Sequence, residues 1–123
     1  MNLGFIGTGR ITESVIRGIC TSNIKFKKIL ISSRNQKRSQ KLKKKFKKVF
    51  VLKKNQEIID KSDWVFLGIT PEVGKKIIGK LKFKSNQVLV SFISTITLTQ
   101  LKKMIKPKIT IVRAIPLPPI SLK

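Results

Sequence analysis

The stretch that decides the fold joins an apolar run, two closely spaced glycines and the start of a helical pattern: Leu3-Gly4-Phe5-Ile6-Gly7-Thr8-Gly9-Arg10-Ile11-Thr12. The apolar residues before Gly7 are typical of a buried strand. Beyond the glycines, positions 11, 15, 16 and 19 carry apolar residues at helical spacing. A strand, a glycine turn and a helix in this order predict the first half of a βαβ unit.

This turn is a candidate site for the pyrophosphate of a dinucleotide. Gly7 allows a tight turn, and the missing side chain of Gly9 lets a phosphate group approach the backbone. The helix that follows would direct free N–H groups and its positive dipole end at the anion. The third glycine or alanine of the usual G-x-G-x-x-G pattern is replaced by Thr12, which weakens the match. An ordinary strand-to-helix turn is the alternative, but the position directly after an N-terminal strand favours the nucleotide site.

Length and composition predict one globular domain, with 123 residues of which 41% are hydrophobic. The absence of histidine excludes Ser-His and Cys-His catalysis and most zinc sites, so no metal is expected. No apolar stretch reaches the roughly 20 residues of a membrane span, and no signal-peptide pattern precedes the glycine turn. Cys20 is the single cysteine and is expected to be a small buried core residue. These features predict a cytoplasmic protein with no membrane partner.

The net charge of +23, from 28 basic and 5 acidic residues, allows two interpretations. One is non-specific binding of nucleic acid through a lysine-rich surface. The other is a compositional excess of lysine that leaves the fold unchanged. The most basic run, residues 37–48, holds Phe46 as its only aromatic residue, whereas single-strand binders stack bases on several aromatic rings. This favours the compositional interpretation, although the charge would still attract an anionic cofactor.

The end of the second predicted strand indicates which dinucleotide binds. The strand covers 28–32 and runs into Ser32, Ser33, Arg34 and Asn35, with further basic residues at 37 and 38. NAD-preferring sheets usually place an acidic residue here to hold the ribose 2′-hydroxyl, and none is present. Two hydroxyls and a guanidinium can instead bind a 2′-phosphate, which predicts NADP(H) rather than NAD. A polar loop with an exposed arginine is the alternative.

The remaining chain alternates apolar runs with amphipathic stretches, so the predicted fold class is α/β: a Rossmann-type, doubly wound parallel sheet in three layers, with strand order 3-2-1-4-5-6. Trp64 is expected to anchor the core at the start of the fourth strand. Residues Ile69–Pro71 should lie beside the cofactor, beyond the carboxyl end of that strand. The domain covers 1–115, and 116–123 form a proline-rich tail. The further strands are expected at 49–52, 63–69, 87–93 and 109–115, and the further helices at 36–48, at 55–60 with Asn55 as N-cap, from Pro71 onward, and at 97–105.

Five stretches, in this order and spacing, make the chain resemble the N-terminal domain of the pyrroline-5-carboxylate reductase family: Gly4–Gly9, Ser32–Asn35, Val65–Pro71, Val90-Ser91 and Val112–Pro116. The resemblance implies NADPH-dependent reduction of a cyclic imine in proline biosynthesis. It also implies that Ile6–Ile11 hold the pyrophosphate, that Ser33 and Arg34 hold the 2′-phosphate, and that Asn55 and Ile69–Pro71 lie along the ribose and nicotinamide. No catalytic residue is assigned. The predicted cofactor-binding residues are Ile6, Gly7, Thr8, Gly9, Arg10, Ile11, Ser32, Ser33, Arg34, Asn55, Ile69, Thr70, Pro71 and Ser94.

The chain departs from the family pattern near the expected substrate end. Ile93-Ser94-Thr95 stands where the family has a small Ala-Ala-Gly turn, and Leu117 stands where the family has an asparagine. In the family a helical C-terminal domain follows, forms the dimer and helps to hold the imine. The chain as given is therefore expected to be an inactive or incomplete cofactor domain, oligomeric only if such a domain exists.

Two other functions stay open. One is a different Rossmann oxidoreductase, of the β-hydroxyacid dehydrogenase or coenzyme F420-linked NADP reductase type. The other is a non-enzymatic basic module that binds NADP or nucleic acid.

Overall fold

Six parallel strands form a single sheet in the computed structural model, which describes residues 1–33 and 35–114. The strand order is β3-β2-β1-β4-β5-β6, so the predicted doubly wound topology is confirmed. Arg34 and residues 115–123, including the proline-rich tail, lie outside the described residues. The strands are β1 (Asn2–Ile6), β2 (Lys28–Ser32), β3 (Val49–Leu52), β4 (Trp64–Leu67), β5 (Val88–Ser91) and β6 (Thr110–Arg113). The helices are α1 (Arg10–Cys20), α2 (Gln36–Lys45), α3 (Asn55–Asp60), α4 (Pro71–Ile77) and α5 (Leu98–Met104), and a 3₁₀ turn at Ile78–Lys80 follows α4.

The strand β1 lies at the centre of the sheet and pairs with both β2 and β4. Leu3 is opposite Ile29 on one side and opposite Trp64 on the other. The chain leaves β3 at one edge and returns through α3 to β4, so the direction of winding reverses at β1. In sheets of this kind ligands bind beyond the carboxyl ends of the two strands where the winding reverses.

Two apolar clusters fill the space between the sheet and its helices. On one face α1 and α2 bury Ile16 and Leu42 against the sheet, where the rings of Phe5 and Phe66 stack with centroids 4.4 Å apart. The other face carries α3, α4 and α5. It is packed by Ile58, Ile59, Leu67, Ile78, Leu89, Leu101 and Ile105, among others. Because both faces are covered, the buried residues of β1 and β4 carry no polar side chain, as is typical of parallel sheets.

Several predicted elements are shorter in the structure. The helix α2 ends at Lys45 because the backbone of Phe46 is extended, and Phe46 then accepts a hydrogen bond from the Val49 N–H as the chain turns into β3. The strand β4 ends at Leu67 rather than Ile69. The last hydrogen bond between β4 and β1 runs from the Gly68 N–H to the Ile6 carbonyl, at 2.9 Å, and the two strands separate beyond it.

Two local predictions are wrong. Asn55 is the first residue of α3, and Lys54 is the N-cap, because the extended backbone that a cap requires occurs at Lys54. Trp64 is not a core anchor, since 37% of its surface is exposed. It lies at the amino end of β4, where its ring is tilted against that of Phe66 with the centroids 6.4 Å apart. No helix within the described ranges has the length and apolar character needed to cross a membrane.

Candidate cofactor site

The turn between β1 and α1 depends on two glycines for different reasons. Gly7 has φ +94°, a backbone conformation that residues other than glycine rarely adopt. A side chain there would also meet the backbone carbonyl of Gly68. Gly9 has an ordinary extended backbone, with φ −78°, and a side chain there would meet no protein atom within 4 Å. The turn therefore has bare backbone facing open space beside Gly9.

The helix α1 begins directly after this bare turn. Gly9 is its N-cap, and the first backbone hydrogen bond runs from the Glu13 N–H to the Gly9 carbonyl, at 3.0 Å. Because a glycine cap has no side chain to accept from the first turn, the N–H groups of that turn are left for an outside acceptor. Combined with the helix dipole, they favour an anion at this position.

Thr8 supplies a further donor at the same place. The residue is only 4% exposed, and its Oγ1 has no hydrogen-bond partner among residues 1–33 and 35–114. A buried hydroxyl without a partner costs about 1–3 kcal/mol. A phosphate oxygen would remove this cost, so the bare turn, the helix terminus and the Thr8 hydroxyl together fit the pyrophosphate of a dinucleotide.

A cleft of about 470 Å³ opens beside the turn, between the carboxyl ends of β1 and β4. Its volume lies within the range of ordinary small-molecule sites. One wall is the glycine turn, the second is the start of α2, and the third is the segment that leads from β4 into α4. The lining residues are Gly7, Thr8, Gly9, Asn35, Gln36, Gly68, Ile69, Thr70 and Val73.

Five of the predicted site residues therefore meet at this cleft: Gly7, Thr8, Gly9, Ile69 and Thr70. Three more adjoin them in the chain. Ile6 is the buried last residue of β1, and Arg10 and Ile11 form the exposed first turn of α1. Pro71 is the first residue of α4, where its missing N–H removes no helical hydrogen bond, as predicted.

Four other predicted residues, Ser32, Ser33, Asn55 and Ser94, are not among those that line the cleft. Ser32 is buried at the end of β2, where its carbonyl accepts a hydrogen bond from the Ser39 hydroxyl at 2.6 Å. Ser33 is half-buried, Asn55 begins α3, and Ser94 is exposed with its carbonyl held by Arg113. Arg34 lies outside the described residues. The roles of these residues remain predictions.

Four cleft residues were not predicted as site residues: Asn35, Gln36, Gly68 and Val73. Asn35 carried a signal, because asparagine directly before a helix is a preferred N-cap, and its Oδ1 accepts from the Arg38 N–H at 3.2 Å. Gly68 follows a buried strand, where a glycine often marks a close approach of other atoms. Gln36 and Val73 gave no such signal, since only the folded chain brings them to the cleft.

Gly68 also explains why Thr12 is tolerated at the third position of the glycine pattern. Thr12 is fully buried, and its Oγ1 occupies the space that a side chain at position 68 would need. In the usual pattern the small residue is on the helix, which allows close packing against the strand. Here the small residue is Gly68, directly after β4, and it leaves room for the Thr12 side chain on the helix. The helix and the strand can therefore still pack closely although the third glycine of the motif is missing.

This reciprocal packing predicts a rescue. Gly68→Ala should destabilise the fold by about 1–3 kcal/mol, because the added methyl group overlaps the Thr12 hydroxyl. Thr12→Ala alone should cost less than Gly68→Ala, because the loss of one buried methyl group is partly offset by the removal of a hydroxyl that is buried without a partner among the described residues. Chemical denaturation of the two single variants and of the double variant should show that Thr12→Ala recovers most of the loss. Additive effects would contradict the contact.

Arg38, expected from the sequence among the basic residues near a 2′-phosphate, is engaged elsewhere. Its Nε lies 3.1 Å from Glu13 Oε1, and its Nη1 donates to the Thr8 carbonyl at 3.3 Å. The other oxygen of the same carboxylate lies 3.1 Å from Arg17 Nε. Within residues 1–33 and 35–114 these are the two ion pairs of the protein, and both involve Glu13.

Cys20 takes no part in the site. It is half-buried near the end of α1 and packs against the apolar cluster beneath that helix. Burial raises the pKa of its thiol above the ordinary value, and the nearby Lys48 opposes this shift. The partial burial and the direction of this pKa shift agree with a structural rather than a nucleophilic role.

The chain is similar to several proteins of known sequence or structure. The chain is 29% identical over 103 residues to a pyrroline-5-carboxylate reductase from Arabidopsis thaliana, covering 82% of this chain and 37% of that protein. The pyrroline-5-carboxylate reductase from Coxiella burnetii superimposes with a TM-score of 0.88 at 23% identity, over 98% of this chain and 46% of that one. The pyrroline carboxylate reductase from Plasmodium falciparum, solved with NADP bound, gives a TM-score of 0.83 at 20% identity, over 99% and 44% of the two chains.

The chain thus spans less than half the length of the curated relatives that it matches. Residues 2–95 match the sequence pattern of a family described as "NADP oxidoreductase coenzyme F420-dependent". The matched residues contain the glycine turn, the end of β2 and the segment that leads from β4 into α4, and so include every residue that lines the cleft. This chain is a member of the coenzyme F420-dependent NADP oxidoreductase family, and the described residues form its Rossmann-type, NADP-binding domain.

Proposed function

We propose that the chain is the NADP(H)-binding domain of a reductase that acts on a cyclic imine of the pyrroline-5-carboxylate type. The observation that carries the proposal is the bare turn at Gly9, which meets the start of α1 and the buried Thr8 hydroxyl at the carboxyl end of β1. This arrangement offers backbone N–H and hydroxyl donors beside open space, which suits two linked phosphates. The family match and the reductase relatives support the reaction class.

The wall formed by Asn35 and Gln36, at the start of α2, is where we place the adenosine of the cofactor. It supports NADP(H) over NAD, because no carboxylate is among the described residues that line the cleft. A carboxylate at this place would repel a 2′-phosphate. Ser33 adjoins this wall in the chain, and the net charge of +23 adds a general attraction for the extra phosphate.

The opposite wall is suited to the uncharged ring of the cofactor. Ile69 and Val73 are half-buried apolar residues, and the Thr70 hydroxyl accepts a hydrogen bond from the Val73 N–H at 3.3 Å, which fixes the start of α4. When bound, the reduced nicotinamide supplies a hydride to the imine carbon. The role of this domain is to bind the cofactor, to hold its phosphates and to orient its ring.

Cofactor binding is tested by titrating the protein with NADPH and with NADH at moderate salt, with fluorescence or calorimetry as the readout. We expect binding of NADPH that survives moderate salt and exceeds binding of NADH. A parallel titration with single-stranded DNA decides the competing function. Binding to DNA alone, lost as salt rises, would support a polyanion-binding module and contradict the proposal.

The imine reductase activity requires a separate experiment because the chain spans less than half of its relatives. In a chimaera, residues 2–114 of this chain replace the aligned N-terminal domain of the Coxiella burnetii protein. We expect oxidation of NADPH that depends on pyrroline-5-carboxylate, followed by absorbance at 340 nm. A chimaera that binds NADPH but turns over only with coenzyme F420 would reassign the substrate while leaving the cofactor proposal intact.

The cofactor preference gives a further prediction. Arg34→Ala should weaken NADPH binding by about 1–3 kcal/mol, in the range of a charge-assisted hydrogen bond, and should leave NADH nearly unchanged. Arg34 lies outside the described residues, so the prediction depends on its place in the Ser-Arg-Asn sequence after β2. Calorimetric dissociation constants for both cofactors are the measurement. Equal losses would show that Arg34 does not contact the 2′-phosphate.

A further inference from the structure

Arg38 lies behind the cleft and connects two of its walls. Its backbone N–H donates to the Asn35 side chain, and its Nη1 donates to the Thr8 carbonyl. Thr8 and Asn35 both line the cleft, whereas Arg38 does not. A single residue thus links the glycine turn to the start of α2, although the two are about 30 residues apart in sequence.

Glu13 holds the guanidinium of Arg38 in this position. The Arg38 and Glu13 side chains are 28% and 22% exposed, so the pair is partly shielded from water, and Arg17 binds the second carboxylate oxygen. The Nε and Nη1 donors of Arg38 are fixed relative to one another by the planar guanidinium. The contact with Glu13 therefore also sets the direction of the contact with Thr8.

The contact at Thr8 has a consequence for the next peptide group. The described residues contain no cis peptide bond, so the Thr8 carbonyl and the Gly9 N–H point in opposite directions. Holding the carbonyl toward α2 fixes the direction of the Gly9 N–H, which belongs to the bare turn of the proposed phosphate site. A turn without this contact would be free to rotate this peptide.

We propose that Arg38, held by Glu13, is a positioning residue that fixes the Thr8–Gly9 peptide and prepares the glycine turn for the cofactor pyrophosphate. The inference rests on the proposed NADP(H)-binding function. Arg38 should therefore affect the binding of NADPH and NADH equally, because both cofactors carry the pyrophosphate. A residue that bound the 2′-phosphate directly would affect only NADPH.

The test measures dissociation constants of NADPH, NADH and adenosine 2′-monophosphate for Arg38→Lys, which keeps the charge but cannot contact Glu13 and Thr8 together. We expect about three- to tenfold weaker binding of NADPH and of NADH, and unchanged binding of adenosine 2′-monophosphate. Lys43→Gln, which removes a charge from an exposed position of the same helix, is the control and should bind all three ligands almost normally. Weaker binding of NADPH and of adenosine 2′-monophosphate, with unchanged binding of NADH, would overturn the proposal.

Glu13→Gln separates positioning from simple electrostatics by the sign of its effect. The variant removes a negative charge near the site, so charge alone predicts tighter binding of an anionic cofactor. The positioning role predicts weaker binding of both dinucleotides, because a neutral amide holds the Arg38 guanidinium less firmly than the Glu13 carboxylate does. Tighter or unchanged binding would contradict the proposal.

If the wild-type protein binds neither dinucleotide, the proposed function is wrong. The positioning of the turn by Arg38 is then measured in the protein without cofactor. In ¹⁵N NMR spectra of the free protein, Arg38→Lys should shift or broaden the Gly9 amide signal, and Lys43→Gln should leave it in place. Thermal unfolding of each variant shows whether the fold is retained. A Gly9 signal that stays unchanged in folded Arg38→Lys would show that the contact does not position the turn.

Discussion

Gly9→Val is expected to lower NADPH affinity by roughly 100-fold or more while leaving the protein folded. The backbone at Gly9, with φ −78° and ψ −174°, is accessible to any residue, and a side chain there would meet no protein atom within 4 Å. The substitution therefore leaves the fold unstrained. The same open space is where we place the pyrophosphate, and the isopropyl group of valine would fill it.

Calorimetric titration with NADPH and a thermal unfolding curve test this expectation together. Gly18→Val is the matched control, because Gly18 lies farther along the same helix and also has no protein atom near its added side chain. It should bind NADPH normally. Unchanged NADPH affinity in Gly9→Val would show that the turn does not hold the phosphates.

Gly7→Ala is expected to give the opposite result, a loss of stability of about 2–4 kcal/mol. Gly7 has φ +94°, so any side chain there is strained, and the added carbon would come within 2.7 Å of a methyl carbon of Ile69 and still closer to the Gly68 carbonyl. The carbonyl is part of the backbone and cannot move aside as a flexible side chain would. The overlap therefore adds to the conformational strain.

Urea denaturation of Gly7→Ala beside Gly9→Ala is the measurement. Two alanine substitutions separated by one residue should differ by several kcal/mol, with Gly9→Ala close to wild type. Similar stabilities would contradict the assignment of separate roles to the two glycines. The pair also separates a glycine needed for folding from a glycine needed for the ligand.

Much of the fold was predictable because the signals were local. Each central strand is a continuous apolar run, and each is followed by a polar or glycine-containing turn and a helical pattern, which is enough to predict a doubly wound sheet and its order. The Gly7 and Gly9 positions were predictable for the same reason.

The errors lie at the ends of elements. The helix ends before Phe46, which packs against the core, and β4 ends at Leu67, where it separates from β1. At the starts of elements, the cap of α3 is Lys54 rather than Asn55, and Trp64 is exposed rather than buried.

The cleft was only partly predictable. Gly7, Thr8 and Gly9 precede a helix, and Ile69 and Thr70 follow a strand, so general rules for α/β sheets identify them. Gln36 and Val73 reach the cleft through the packing of α2 and α4, which no local pattern shows. Arg38 illustrates the same limit. Its charge was visible in the sequence, but its partners, Glu13 and the Thr8 carbonyl, are far from it along the chain.

The sequence by itself determined the alternation of strands and helices, the glycine turn and the lack of an acidic residue after β2, because each depends on residues that are neighbours in the chain. Only the tertiary structure decided that Thr12 is accommodated by Gly68 and that Arg38 is held away from the cleft by Glu13. Both outcomes depend on which side chains meet across separate elements. Close packing and hydrogen-bond geometry settle such contacts within a few tenths of an ångström, a distance scale that spacing in a sequence does not record.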